Sequence, residues 1–296
     1  MAILWRKKRR YYRPHLAEIR HKRPTLILRM AKTETRSARI FAIAASKIYC
    51  ATFGEQYGTF FTMEVGKKQY LITAKHLAKQ LDYSSGMAHI YTPRNNALFP
   101  MPVKLVGHGK EKVDISVLTL ESEMGKLGPL MKPISPKYGE DAFFFGFPYP
   151  QEANTRVAMG IDSSVPFVKK GIISYISRNG TFFISEQVTK GFSGGPVVMR
   201  DRDGAENQSD AFYHVIGVIS AYRATDIPVI EGDNESSLIA RANSGIIVAH
   251  DIKFAIDIIK SNPIGFPIKP KPSNRSKSPH KIKPKPKSPH NLGIDL

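Results

Sequence analysis

The sequence predicts an all-β fold of the sandwich or barrel type, opened by a short N-terminal helix and closed by a C-terminal one. Three observations carry this. Across residues 47–249, short runs rich in Val, Ile, Phe, Tyr and Thr alternate with Gly, Pro and Asn turns. Helical patterning is confined to the two flanks of that stretch and one short turn inside it. Of the 296 residues, 42% are hydrophobic, enough for one or two cores, yet no apolar run approaches the ~20 residues needed to span a bilayer.

In chain order, 33–45 reads as a short helix leading into a strand at 47–53. Strands follow at 59–65, 68–73, 88–91, 103–107 and 115–120, then at 142–147, 169–176, 181–187, 196–199, 213–220 and 245–249. Residues 74–81 read as a one- to two-turn helix. Two polar stretches, 201–210 and 225–241, read as surface loops. Apolar residues at 252, 254, 255, 256, 258 and 259 predict a closing helix over 251–260 with Asp251 as its cap, ended by Asn262-Pro263. Beyond it, Lys277-Ser278-Pro279-His280 repeats at Lys287-Ser288-Pro289-His290, a composition that favours extended chain over a packed core. The expected division is a basic extension at 1–40, a folded unit at 41–262 and a disordered Lys/Pro/Ser-rich tail at 263–296.

The net charge of +19 sits at the ends. Residues 1–40 hold 13 Lys/Arg against 2 Asp/Glu, residues 263–296 hold 8 against 1, and the body between them holds 23 against 22. Charge therefore points to possible polyanion partners for the tails, nucleic acid or an acidic membrane, and says little about the body. Cys50 is the only cysteine, so no intrachain disulfide can form, and in its strand-like surroundings it reads as a buried structural thiol. No secretory signal stands out in the basic start. These two features set the expectation of a cytoplasmic protein. No Cys/His cluster suggests a metal, and no cofactor is expected.

The chemistry concentrates in Gly191-Phe192-Ser193-Gly194-Gly195-Pro196. Glycines beside a serine let the backbone turn so that its amides converge on one spot while the hydroxyl stays exposed, which an acyl-transfer nucleophile requires. Upstream, the apolar run Tyr70-Leu71-Ile72-Thr73-Ala74-Lys75-His76 ends in a histidine, and Val113-Asp114-Ile115-Ser116-Val117-Leu118 opens a strand with an aspartate. The order His76, Asp114, Ser193 is one of the known sequential orders of a Ser-His-Asp triad. His89, His108, His214 and His250 have no such context and read as structural.

On these motifs the chain resembles trypsin-like serine proteases of the chymotrypsin fold, within them the bacterial HtrA/Deg branch, without the PDZ module that often follows there. T-A-K-H looks like the family's T-A-x-H, V-D-I-S-V-L like its D-[IL]-A-[VL]-L, and G-F-S-G-G-P like its G-[DN]-S-G-G-P. The intervening Gly58-Thr59-Phe60-Phe61, Gly146-Phe147-Pro148 and Gly171-Ile172-Ile173-Ser174 also fall in family order. The resemblance implies two antiparallel six-stranded β-barrels with the site between them, His76 and Asp114 from the first and Ser193 from the second. It implies a serine endopeptidase acting on protein or peptide, with Ser193 as nucleophile, His76 as base and Asp114 as its orienting acid. The backbone amides of Gly191 and Ser193 would form the oxyanion hole. Gln187, Ser220, Ala221 and Tyr222 would line the primary specificity pocket. No acidic residue stands there, so cleavage after Lys or Arg is not implied.

Phe192 departs from the family's Asp or Asn, and no R-I-V-G-G activation site is present, so the trypsin zymogen switch is not implied. Either apolar packing of Phe192 holds the loop or the loop is mobile until substrate binds, and exchanging Phe192 for Asn is expected to preserve activity. The alternative to a peptidase is an inactive or gated protease-fold scaffold that binds nucleic acid or acidic surfaces through its tails.

Overall fold

A computed structural model describes residues 36–94, 97–124, 132–148, 165–200, 213–231 and 234–268. Helix α1 (Arg36–Lys47) leads into β1 (Ile48–Phe53), β2 (Gln56–Val65) and β3 (Lys68–Thr73). The short helix α2 (Lys75–Ala78) follows, then β4 (Ala88–Arg94), β5 (Ala97–His108) and β6 (Ser116–Leu120). These six strands pair antiparallel in the order β3-β2-β1-β4-β5-β6, and β3 pairs again with β6 at Leu71↔Leu118, which closes the ring. A second set, β7 (Asp141–Gly146), β8 (Phe167–Ile176), β9 (Thr181–Ser185), β10 (Pro196–Arg200), β11 (Tyr213–Glu231) and β12 (Asn234–Asp251), forms a closed barrel in the order β10-β11-β12-β9-β8-β7. Helix α3 (Lys253–Ser261) then packs back, and β13 (Phe266–Pro267) adds to β3. The fold is the double antiparallel β-barrel with flanking helices that the sequence predicts.

The period-2 geometry of a strand explains why several strands carry almost no polar residues. On β2, Phe60 points into the first barrel with Phe53, Leu71 and Leu118, while Phe61 points outward against the second barrel. On β7, Phe144 fills the second barrel with Phe182, Ile184 and Ile216, while Phe143 and Phe145 face the first. The layer between the barrels is thus a third core, and Ile43 of α1 and Ile252, Ala255 and Ile259 at α3 close it. Among the described residues no helix is long and apolar enough to cross a membrane.

Two expectations change. Within the segment 225–241, residues 225–231 and 234–241 form a β-ribbon, not a loop: β11 and β12 run on past the barrel with pairs Asp226↔Arg241, Ile227↔Ala240 and Glu231↔Asn234. Residues 225–228 and 238–241 of the ribbon are all exposed, so no burial pattern marks them in the sequence. The strand Phe266–Pro267 lies inside the stretch expected as tail, so the folded chain continues to 268. Helix α3 begins two residues later than expected, yet Asp251 still accepts the Lys253 amide at 2.8 Å. The 201–210 stretch, most of the basic extension (1–35) and the tail from 269 lie outside the described residues.

Candidate active site

The apolar run of β3 ends at buried Thr73, and α2 then buries Leu77 and Ala78, which leaves His76 on its outer side, 42% exposed. Asp114 stands just before β6 on a turn closed by Gly109 N–H to the Ile115 carbonyl (2.7 Å) and Val113 N–H to the Lys110 carbonyl (3.0 Å). Lys75 clamps that turn, donating from Nζ to the carbonyls of Gly109 (2.9 Å) and Glu111 (2.8 Å). Helix and turn are so joined that Asp114 meets His76 twice. Its Oδ1 accepts the His76 backbone N–H at 2.8 Å, and its Oδ2 lies 2.7 Å from His76 Nδ1. An ionised carboxylate only accepts, so in the neutral imidazole the proton sits on Nδ1 and Nε2 is left as acceptor.

Asp114 accepts a third bond. Ser220 Oγ donates to Oδ2 at 2.6 Å. Burial pushes the Asp114 carboxyl up, but the bond and charge of His76, the Ser220 hydroxyl and the His76 amide outweigh it and hold it below the usual carboxylate value. Ser220 is the functional contact that sequence reasoning missed: it was expected on a pocket wall. Nothing local to either residue signals a pairing across 106 positions.

Ser193 comes from the second barrel on a loop its glycines make possible. Gly191 has φ +95° and Gly194 φ +81°, and a Cβ at either would come within 2.1 Å of a backbone oxygen, of Phe147 and Thr59 respectively. The carbonyls of Gly191, Phe192 and Ser193 are all engaged. That of Gly191 accepts from Thr59 Oγ1 (2.6 Å) and the Phe147 amide (3.2 Å), that of Phe192 from the Gly195 amide (2.9 Å), and that of Ser193 from the Thr59 amide (2.9 Å). The amides of Gly191 and Ser193, in contrast, donate no hydrogen bond among the described residues. The Phe192 side chain is only 2% exposed and lies in the second barrel's core, edge-on to Phe144 at 5.9 Å.

The structure brings His76, Asp114 and Ser220 together, with Ser193 beside them. Ser193 Oγ donates to the Ser220 carbonyl at 3.1 Å rather than to His76. Of the expected pocket residues, Ala221 is exposed and Tyr222, 41% exposed, lines a shallow cleft with Ala224, Arg241, Ala242 and Asn243. Gln187 is not part of that cleft: it is exposed, and its carbonyl accepts from Lys169 Nζ. His108 bonds Ser116 Oγ (2.6 Å), and His250 is buried beside Thr181. No group of three His, Cys, Asp or Glu among the described residues is placed to hold a metal ion.

No protein-family model matches the chain, and no curated protein does. Solved structures do. One is a serine endoprotease from Yersinia pestis, 18% identical over 77% of this chain and 66% of that one, with a TM-score of 0.47. Another is the HtrA-type protease AlgW with a tripeptide, 20% identical over 77% of this chain and 63% of that one, again at 0.47. A third is Deg5, 18% identical over 75% of this chain and 91% of that one, at 0.47. This chain spans just under two thirds of the first two. The likeness is a distant one of fold, to HtrA/Deg-type trypsin-like serine proteases. It overturns one expectation. Such proteases are characteristically periplasmic or secreted, so the cytoplasmic assignment is withdrawn. The lone buried Cys50, its thiol pushed up to about 12 by burial, is inert and compatible with either redox compartment.

Proposed function

We propose that the protein is a serine endopeptidase in which Ser193, His76 and Asp114 act as the triad and the amides of Gly191 and Ser193 form the oxyanion hole. The observation that carries this is the pair of hydrogen bonds between His76 and Asp114, which fixes the ring and leaves Nε2 as the free acceptor. In this reading the Ser193 hydroxyl leaves the Ser220 carbonyl and donates to Nε2. Nε2 takes the hydroxyl proton as Oγ bonds to the scissile carbonyl carbon. The carbonyl oxygen becomes an oxyanion held by the two unengaged amides, a contribution of about 3–4 kcal/mol per donor in such sites. The imidazolium, stabilised by Asp114, returns the proton to the leaving amine, and the acyl-enzyme forms. Water, deprotonated by the same nitrogen, then releases the acid and restores the serine.

The gated alternative has one observation in its favour, the Ser193 hydroxyl turned to Ser220. A fluorophosphonate probe separates the two. The peptidase reading expects labelling at Ser193 and casein cleavage, both lost in Ser193→Ala and His76→Ala with the fold intact. Equal cleavage by wild type and Ser193→Ala overturns it. The same experiment on a chain trimmed to 36–268 tests the tails, whose charge assigns them to polyanion contact rather than to chemistry: activity is retained and salt-sensitive nucleic-acid binding is lost.

A further inference from the structure

We propose that the pole of the first barrel opposite His76 seats the protein on an anionic lipid surface. The β4–β5 hairpin is the apolar anchor, and the basic chain beyond β13 supplies the charge. The contact is peripheral and does not depend on the peptidase reading.

The hairpin stands off the barrel. β4 pairs with β1 only at Thr52↔Tyr91, and β5 pairs with β6 no further out than Val103↔Leu120. Beyond those points, Thr92↔Phe99 and Pro93↔Leu98 have only each other as strand partners among the described residues. Residues 97–103, Ala-Leu-Phe-Pro-Met-Pro-Val, carry no charge. Tyr91, Pro93, Leu98 and Pro100 share one face, on which Leu98 is 58% and Tyr91 41% exposed. Phe99, on the opposite face, is 42% exposed. A flat protein partner covers one face of such a finger, whereas a lipid surface takes in both. Pro93, Pro100 and Pro102 have no N–H, so the hairpin is poorly suited to receiving a guest strand along its edges. Contact falls to the side chains. Its depth is limited to the headgroup level, because carbonyls on the outer edges still need water.

The register puts the root of the basic chain at the same pole. Tyr91 opposite Thr52 runs β4 toward the start of β1, where Ile48 faces Phe61 near the end of β2. The β2–β3 turn lies there too, and β13 joins β3 at Phe266↔Gln69. Ile268 N–H donates to the Lys67 carbonyl at 2.9 Å, and Lys68 Nζ to the Pro263 carbonyl at 2.5 Å. The chain that continues from 269 holds 8 Lys/Arg against 1 Asp. At the pole itself Glu64 is matched by Lys47 at 3.0 Å, and Glu121 and Glu123 stand just past β6, so the net attraction is that of the basic chain. An apolar anchor or a basic segment alone gives weak, reversible attachment, and the two together give a stable one. α2, with His76, follows the far end of β3, so a protein seated on this pole keeps His76 on the side away from the lipid.

The test is co-sedimentation of the full chain with vesicles of phosphatidylglycerol and phosphatidylcholine, mixed one to two, beside vesicles of phosphatidylcholine alone. Binding to the anionic vesicles is expected, falling with added salt and weakening about tenfold or more in a Tyr91→Ser, Leu98→Ser variant. Because Cys50 is buried, a nitrobenzoxadiazole label on Leu98→Cys reports that position alone. Its emission should shift to the blue on the anionic vesicles. The same label on Glu55→Cys, in the β1–β2 turn beside Gln80 at the His76 end, should not shift. No binding, equal binding to both kinds of vesicle, or a double variant that binds like the wild type overturns the proposal. So does a Leu98→Cys label that shifts with protein concentration in the absence of lipid, since a second copy then covers the hairpin. A protein that binds nucleic acid and ignores the vesicles overturns it too. If the double variant does not fold, the two labels decide. Fluorophosphonate labelling reports the peptidase reading separately: loss of vesicle binding leaves that reading untouched, and absence of labelling leaves the lipid-binding pole standing.

Discussion

Phe192 offers the sharpest test of how the nucleophile loop holds its shape. Its ring is buried in the second barrel, 5.9 Å from Phe144, and Gly146 lies so close that a Cβ there would sit 2.5 Å from a ring carbon. Its own carbonyl takes the Gly195 amide, so the ring and the loop backbone are fixed together. Truncating a buried Phe to Ala costs about 3–5 kcal/mol, against a total stability of about 5–15 kcal/mol. Phe192→Asn loses the same packing and buries an amide as well, adding about 1–3 kcal/mol where it finds no partner. At about 2–4 °C per kcal/mol for a domain of this size, Phe192→Ala should melt roughly 6–20 °C lower and Phe192→Asn lower still. This reverses the expectation, drawn from the family's usual polar residue, that Asn is tolerated. Thermal unfolding by circular dichroism gives the stability. Fluorophosphonate labelling well below both midpoints gives the loop's competence, with Phe182→Ala, an equally buried ring of the same core, as control. Labelling should fall further in Phe192→Ala than in the control. A Phe192→Asn protein that melts with the wild type and labels at the same rate would refute the idea that the ring is the latch.

Other outcomes follow from the same contacts. Asp114→Asn keeps the shape but offers His76 Nδ1 an N–H, so turnover should drop by roughly three to four orders of magnitude while the fold survives; unchanged turnover would remove Asp114 as the orienting acid. Lys75→Met releases the turn at 109–111 and should cut kcat about tenfold with KM nearly unchanged, Lys75→Arg restoring much of it; a pure KM effect would contradict a positioning role. Stability should fall on acidification in two stages. Burial holds His108 and His250 below the ordinary imidazole value of 6.5, with Lys79 and Lys75 adding to it at His108 and Asp114 opposing it at His250, so their contribution is full above that pH and is lost below it. Asp114, held below 3.8, contributes fully above that value and is lost beneath it. Urea midpoints against pH check this, and a first stage that persists in a His108→Gln, His250→Gln double variant would contradict the assignment.

The barrels were legible because their strands obey a simple period. Lys68–Thr73 falls on its expected bounds, and β7 and β10 lie within a residue of theirs. His76, Asp114 and Ser193 stand out as candidates because each sits in a short motif whose glycines or apolar run has a local reason. What was not legible depends on partners distant in sequence. In the ribbon, residues 225–228 and 238–241 are exposed on both strands, so their pairing left no hydropathy signal. Ser220 reaches Asp114 only because β11 passes beside the turn before β6. Phe192 reads as an anomaly in its motif until the core that receives it, Phe144 and Gly146, is folded around it.

The contact that makes one site of two barrels is also absent from any single motif. Thr59 on β2 is fully buried, and every polar group it has is used. Its Oγ1 and amide hold the carbonyls of Gly191 and Ser193, on the second barrel, at 2.6 and 2.9 Å. Its own carbonyl accepts Thr73 Oγ1 at 2.8 Å, and Thr73 is the residue from which the chain turns into the helix of His76. One threonine thus lies in a continuous line of hydrogen bonds from the loop with the unengaged amides to the element bearing His76. Gly194 completes the fit: a Cβ there would fall 2.1 Å from the Thr59 carbonyl and 2.3 Å from Thr73 Oγ1, so only glycine lets the loop settle on this pair. The glycine after the serine therefore serves the junction between barrels as much as the turn itself. The placement of Ser193 relative to His76 is set by packing at that junction, not by either barrel alone.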